Sequence, residues 1–116
     1  MFVAVYWWRV KPGKEDQFRE AWRRGTREIA RIHGGLGSRL HREVDGRFVA
    51  IAEWPDRATW QRAFDARMVY EDKEARAMFV DAIAETPPGN KPVFTMEVSD
   101  DLLASSGGLD DAADNT

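Results

Sequence analysis

The stretch Phe2 to Val10, FVAVYWWRV, constrains the fold more than any other part of the chain. Its β-branched and aromatic residues favour an extended strand. In a strand, Phe2, Ala4, Tyr6 and Trp8 point one way and Val3, Val5 and Trp7 the other. Both sets are apolar or aromatic, whereas an antiparallel sheet with one wet face alternates apolar with polar. Both faces of this strand therefore need cover. A chain of 116 residues suits a single domain, whose helices can cover only one face. The other face is expected to pack on the same face of a second copy, a two-fold isologous contact. An exposed apolar patch of that size is rare on a soluble monomer.

The rest of the chain supplies the layers. Lys11-Pro12-Gly13-Lys14 ends the strand, and a helix of about 18 residues follows. Phe18, Trp22, Gly25, Ile29 and Ile32 share one of its faces. Glu15 and Asp16 in its first turn and Arg27 and Arg31 near its end suit the macrodipole, and Gly34-Gly35 stops it. His33 is expected to serve that C-terminus. Residues 36–44 and 47–54 read as two strands around Asp45-Gly46, a signal for a two-residue type I′ hairpin. That turn would pair Arg42 with Val49, His41 with Ala50 and Leu40 with Ile51. Asp56 reads as an N-cap for a helix from Arg57 to about Met68. A further helix is expected from about Glu71 to Ala84, with Ala75, Met78, Phe79, Ala82 and Ile83 on its apolar side. Thr86-Pro87-Pro88-Gly89 ends it, and residues 92–98 form the last strand. The order β-α-β-β-α(α)-β, with right-handed crossovers, is that of an α+β, ferredoxin-like antiparallel sheet with helices on one face.

Composition then removes whole classes of chemistry. Cysteine is absent, which excludes disulfides, a thiol nucleophile, cysteine-bound zinc and iron–sulfur clusters. Residues 99–116 hold five acids and no base, so the preceding 98 residues carry fifteen acids against seventeen bases. The net charge of -3 belongs to this tail, expected to be a flexible appendage to a domain spanning 1–98. Thirteen of the bases are Arg, scattered rather than clustered, so no nucleic-acid surface is expected. The apolar start, Met1 to Trp8, is too short to span a membrane and lacks the parts of a signal peptide. A cytoplasmic location is the expectation.

One family is similar. The chain resembles the antibiotic biosynthesis monooxygenase domains of the dimeric α+β barrel superfamily. Val10-Lys11-Pro12-Gly13-Lys14, Phe18 and, above all, residues 45–64, DGRFVAIAEWPDRATWQRAF, carry the resemblance, which extends over about 2–98. It implies the dimer through the open sheet face, and a pocket between sheet and helices lined by Tyr6, with Ala4 and Trp8 beside it. It also implies one of two chemistries: oxygenation of aromatic polyketides or quinols without a cofactor, or heme binding with oxidative degradation. The heme branch uses an Asn, a Trp and a His whose positions fall here on Tyr6, Ala63 and near Lys73. None matches, so a cofactor-independent monooxygenase acting on a planar phenolic, quinol or polyketide-like substrate is expected, with no resident cofactor or metal. The alternatives are a non-catalytic binding module for heme or another aromatic ligand, and a purely structural dimer.

Such oxygenation needs an easily oxidised anion, a base or hydrogen-bond partner to form it, and a dry apolar pocket. Tyr6 and His41 are the candidate catalytic residues. Tyr6 can donate its hydroxyl to a substrate oxygen or serve as a core aromatic. His41, placed by the two-residue turn on the face of Phe48, Ala50, Ala52 and Trp54, is either a base or an inert edge-strand side chain. Trp8, Trp22, Trp60 and Phe64 can stack on a flat substrate or simply pack the core. Tyr70, between the later helices, can close the pocket mouth or simply pack in its loop. Arg67 and Arg76 can meet an anionic substrate or lie solvated on helices. Adjacent acids such as Glu71-Asp72 point apart on a helix and do not make a catalytic dyad.

Overall fold

A computed structural model gives the fold and describes residues 1–108. The elements run β1 (Phe2–Val10), α1 (Glu15–His33), β2 (Gly37–Arg42), β3 (Phe48–Trp54), α2 (Arg57–Asp65), α3 (Lys73–Ala82), β4 (Ile83–Glu85) and β5 (Phe94–Glu97). The sheet is antiparallel, in the order β2-β3-β1-β4, with β5 also on β1. This is the expected α+β ferredoxin-like arrangement, with the helices on one face.

The last strand differs from the expectation. The edge of β1 is shared end to end: β4 pairs with Arg9 and Val10, and β5 pairs with Phe2 to Val5. Thr86-Pro87-Pro88-Gly89 causes the break, because proline offers no amide hydrogen to a ladder. The Trp7 carbonyl, lacking a strand partner there, accepts from the Thr86 hydroxyl at 3.0 Å.

The hairpin also differs, and more consequentially. The Glu43 amide donates to the Arg47 carbonyl at 2.8 Å and the Gly46 amide to the Glu43 carbonyl at 2.9 Å. The loop is therefore three residues, Val44-Asp45-Gly46, with Gly46 left-handed at φ 94°. This is the turn-plus-bulge solution rather than the two-residue one. Asp45 favours it, its carboxylate accepting from the Arg47 amide at 3.0 Å. The pairing moves by one residue: Leu40 meets Ala50 and His41 meets Val49. A one-residue slip exchanges the faces of a strand. His41 thus stands on the open face, exposed, with Nδ1 3.2 Å from the Val49 carbonyl.

Helix ends follow local chemistry. Asp56 caps α2 by accepting from the Thr59 amide at 2.7 Å, as expected. Asp72 caps α3 through the Ala75 amide at 3.0 Å, which nothing in the reading of the sequence anticipated. The same carboxylate takes a two-pronged grip from Arg24 at 2.8 and 2.9 Å, tying α3 to α1. Gly34, left-handed, caps α1, while His33 instead reaches the Val69 carbonyl at 2.7 Å and pins the α2–α3 loop.

Two aromatic clusters brace the helix layer. At one end Phe2, Trp54 and Trp60 pack with Ala4 and Ala63; at the other Trp8, Phe18 and Phe48 pack with Ala50, Ala82 and Phe79. Tyr6 touches both. Leu102 and Leu103, in the stretch that follows the expected domain, are exposed. The remaining expectation for the tail concerns 109–116, outside the described residues.

Candidate functional site

Between the two aromatic braces the residues are small. Ala50 and Ala52 of β3 form the floor, and Ala21, Gly25 and Ala30 of α1 the roof. Aromatic pillars with alanine and glycine between them hold the layers apart without filling the gap. The result is a cavity of about 720 Å³, within the size range of small-molecule sites.

Five of the seven expected site residues line it: Tyr6, Trp8, Trp22, Phe64 and Tyr70. His41 does not, because the three-residue hairpin turns it to the opposite face. Trp60 does not either. It is 7% exposed, stacked on Phe64 behind Tyr6, so it has no open face to offer a substrate. Its Nε1 donates to the Tyr6 hydroxyl at 3.1 Å. An indole N–H can only donate, so the phenolic oxygen accepts, and the phenol's own hydrogen remains for another partner. Burial raises the Tyr6 pKa above its ordinary 10.0, against the smaller opposing pull of the Trp60 N–H. Tyr6 is accordingly a neutral hydrogen-bond donor on the cavity wall.

Tyr70 owes its place to Gly25. A methyl group on Gly25 would stand 2.8 Å from the Tyr70 hydroxyl oxygen. The glycine within an apolar helix face was a readable sign of close approach. Burial raises the Tyr70 pKa, and the Arg76 guanidinium beside it opposes the rise.

Arg67 and Met68, also on the lining, sit at the end of α2. The Arg67 amide donates to the Phe64 carbonyl and the Met68 amide to the Ala63 carbonyl, both at 2.8 Å. This pair of bonds is a Schellman closure, with Arg67 in the left-handed position that glycine usually takes. Arg67 has φ 59° and Met68 φ 46°. Sequence could not mark this corner, since no Gly or Asn stands there. Arg76 completes the basic part of the lining. Ser38 Oγ and Trp54 Nε1, on two further lining residues, are buried without a hydrogen-bond partner among the described residues.

The residues present do not repeat the histidine ligation that the heme branch of the resemblance implies. Neither histidine lines the cavity, so no imidazole is offered to an iron. Among the described residues no group of three or more His, Asp or Glu is placed to hold a metal ion. No helix there is long and apolar enough to cross a membrane.

Fold and site together define an α+β sandwich with a ligand-sized cavity beneath its helices. The model of the antibiotic biosynthesis monooxygenase family matches residues 1–70. The chain belongs to that family. Solved structures agree on the fold. One from Nitrosomonas europaea, provisionally named an antibiotic biosynthesis monooxygenase, superposes with a TM-score of 0.60 at 22% identity, covering 85% of this chain and 99% of that one. A similarly named protein from Bordetella bronchiseptica gives 0.59 at 18% identity, over 84% of this chain and 95% of that one. Rv0793 from Mycobacterium tuberculosis gives 0.58 at 11% identity, over 88% and 98%. No curated protein matches the chain by sequence.

Proposed function

We propose that the chain is a cofactor-independent monooxygenase that oxidises a planar phenolic, quinol or polyketide-like compound with O2. The observation that carries this reading is the open cavity, whose aromatic walls fit a flat ring system. Trp8, Trp22 and Phe64 sandwich the rings, and Tyr70 narrows the mouth. The Tyr6 hydroxyl donates to a substrate oxygen and stabilises the anion as the substrate proton leaves to water. The anion's carbon forms a C–O bond to O2, and the resulting hydroperoxide loses water to leave a carbonyl. One oxygen atom enters the product and the other leaves as water, both of whose hydrogens come from the substrate. No separate reductant is consumed. Trp60 acts through Tyr6 as a positioning residue.

The active unit in this reading is a homodimer. Val3, Val5 and Trp7 join Val49, Ile51, Phe94 and Met96 on the open face, with Ile51 39% and Phe94 63% exposed in the single chain. An apolar strip of this kind, flanked by Glu53 and His41, supports an interface between copies. A cytoplasmic setting suits a chain with no cysteine to oxidise.

Oxygen uptake on a panel of quinols and anthrones tests the activity. Wild type is expected to exceed the uncatalysed rate, and Tyr6→Phe to lose about tenfold to hundredfold. His41→Ala, on the far face, is expected to keep its rate. Wild-type uptake no faster than the uncatalysed reaction across the panel would sink the reading. The second reading is a binding module without turnover, favoured by the lack of any histidine on the lining. It predicts saturable ligand binding with no uptake.

A further inference from the structure

The charged residues on the cavity lining are Glu53, Asp65, Arg67 and Arg76, two acids and two bases in one site. No acid there pairs with a base. Glu53 alternates with Trp54 and so belongs to the open face of β3, opposite Val3. The Asp65 carboxylate accepts from Gln61 Nε2 at 2.9 Å. Arg9, Arg19, Arg23, Arg24, Arg31 and Arg47 each have a carboxylate partner. Among the described residues Arg67 and Arg76 have none, and neither do Arg27, Arg39, Arg42, Arg57 and Arg62, but of these seven only Arg67 and Arg76 line the cavity.

Both arginines are exposed yet line the cavity, which places them at its rim. Arg67 also occupies a left-handed position where glycine is the undemanding choice, so the backbone gives no reason for a long charged side chain there. A guanidinium is weakly hydrated, stacks on aromatic faces and matches a carboxylate with two parallel hydrogen bonds. An apolar, aromatic interior with two guanidinium groups at its rim, neither holding a carboxylate, complements a flat ring that bears one anionic substituent.

We propose that the site selects planar aromatics carrying a carboxylate, with the rings between β3 and α1 and the carboxylate held at the rim by Arg67 and Arg76. The proposal deepens the reading of the cavity as a substrate site and rests on it. Binding energy at the rim then fixes which end of the ring system enters first, and so which carbon meets Tyr6.

The experiment is calorimetric titration of the full chain with a hydroxynaphthoate and with its isosteric carboxamide, at low and high salt. At low salt the acid is expected to bind about tenfold more tightly than the amide, with the gap narrowing as salt rises. In Arg67→Gly/Arg76→Gln the two affinities are expected to converge. Glycine suits the left-handed backbone at 67, so the variant keeps its fold, which a thermal melt checks. Equal binding of acid and amide by wild type overturns the carboxylate proposal and leaves the cavity reading standing. A preference that survives in the double variant also overturns it. Failure of both compounds to bind overturns the cavity reading and the proposal together.

Discussion

On one face of β1, Ala4, Tyr6 and Trp8 lie under helices that stand far enough away to leave a cavity. On the other, Val3, Val5 and Trp7 share an apolar surface with Val49, Ile51, Phe94 and Met96. The residue types hardly differ. What differs is the cover each face receives within the chain: among the described residues, helices lie over one and none over the other. On the helix side, Trp8, Phe18 and Phe79 at one end and Phe2, Trp54 and Trp60 at the other stop the layers from closing over Ala50 and Ala52. The open face has no such pillars and suits a second flat sheet. Hydrophobicity alone therefore does not distinguish a binding surface for a small molecule from one for another chain; the spacing of large and small side chains does.

The largest effect that separates the two faces is expected from Ile51→Glu. A carboxylate in the middle of the open face, duplicated by the two-fold axis, should weaken dimerisation by about a hundredfold or more. Sedimentation equilibrium would show the mass falling from two chains to one. Wild type sedimenting as a single chain would remove the partner from the comparison altogether.

Gly25→Ala acts on the other face. The added methyl displaces the Tyr70 hydroxyl, the far end of a swinging side chain, and it also removes a helix-interior glycine. Stability should hold or rise by up to about 1 kcal/mol, while affinity for a flat ligand falls about tenfold. A melt and a titration on the same sample read both, and a variant that binds as wild type does would show that Tyr70 does not shape the mouth.

The smallest effect concerns the bond that aims Tyr6. A cycle of Tyr6→Phe and Trp60→Phe should give a coupling of about 1 kcal/mol in denaturant unfolding. Alkaline pH adds an independent check. The Tyr6 pKa is higher folded than its ordinary 10.0, so above that pH the unfolded chain loses the proton first. Stability then falls as pH rises toward the folded value, and Tyr6→Phe should make that fall shallower.

Much of this was legible in the sequence. The opposite faces of β1 follow from FVAVYWWRV, α1 from the spacing of Phe18, Trp22, Gly25 and Ile29, and the start of α2 from Asp56. Five of the seven chosen side chains meet in one cavity because alternation in strands and the helical period are short-range rules. The two departures have different causes. His41 went to the wrong face because Asp-Gly can close a two-residue or a three-residue loop, and the choice depends on a hydrogen bond from Arg47 to Asp45. Trp60 lies on the correct helix face but behind Tyr6, a depth that periodicity does not encode. The tie from Arg24 to Asp72 joins α1 to the chain after α2 across 48 residues of sequence, and no local pattern announces it.

The hairpin at Val44-Asp45-Gly46 gives this fold an unusual sensitivity to chain length. Removing one residue from that exposed loop would restore the two-residue turn and slide β2 by one position against β3. All six residues of Gly37–Arg42 would then change faces, Ser38, Leu40 and Arg42 turning outward and Gly37, Arg39 and His41 inward. The imidazole of His41 would swing over Ala50 and Leu40 out to the surface. A family that gains or loses single residues at this tip can thus rewrite the cavity wall without a substitution near it.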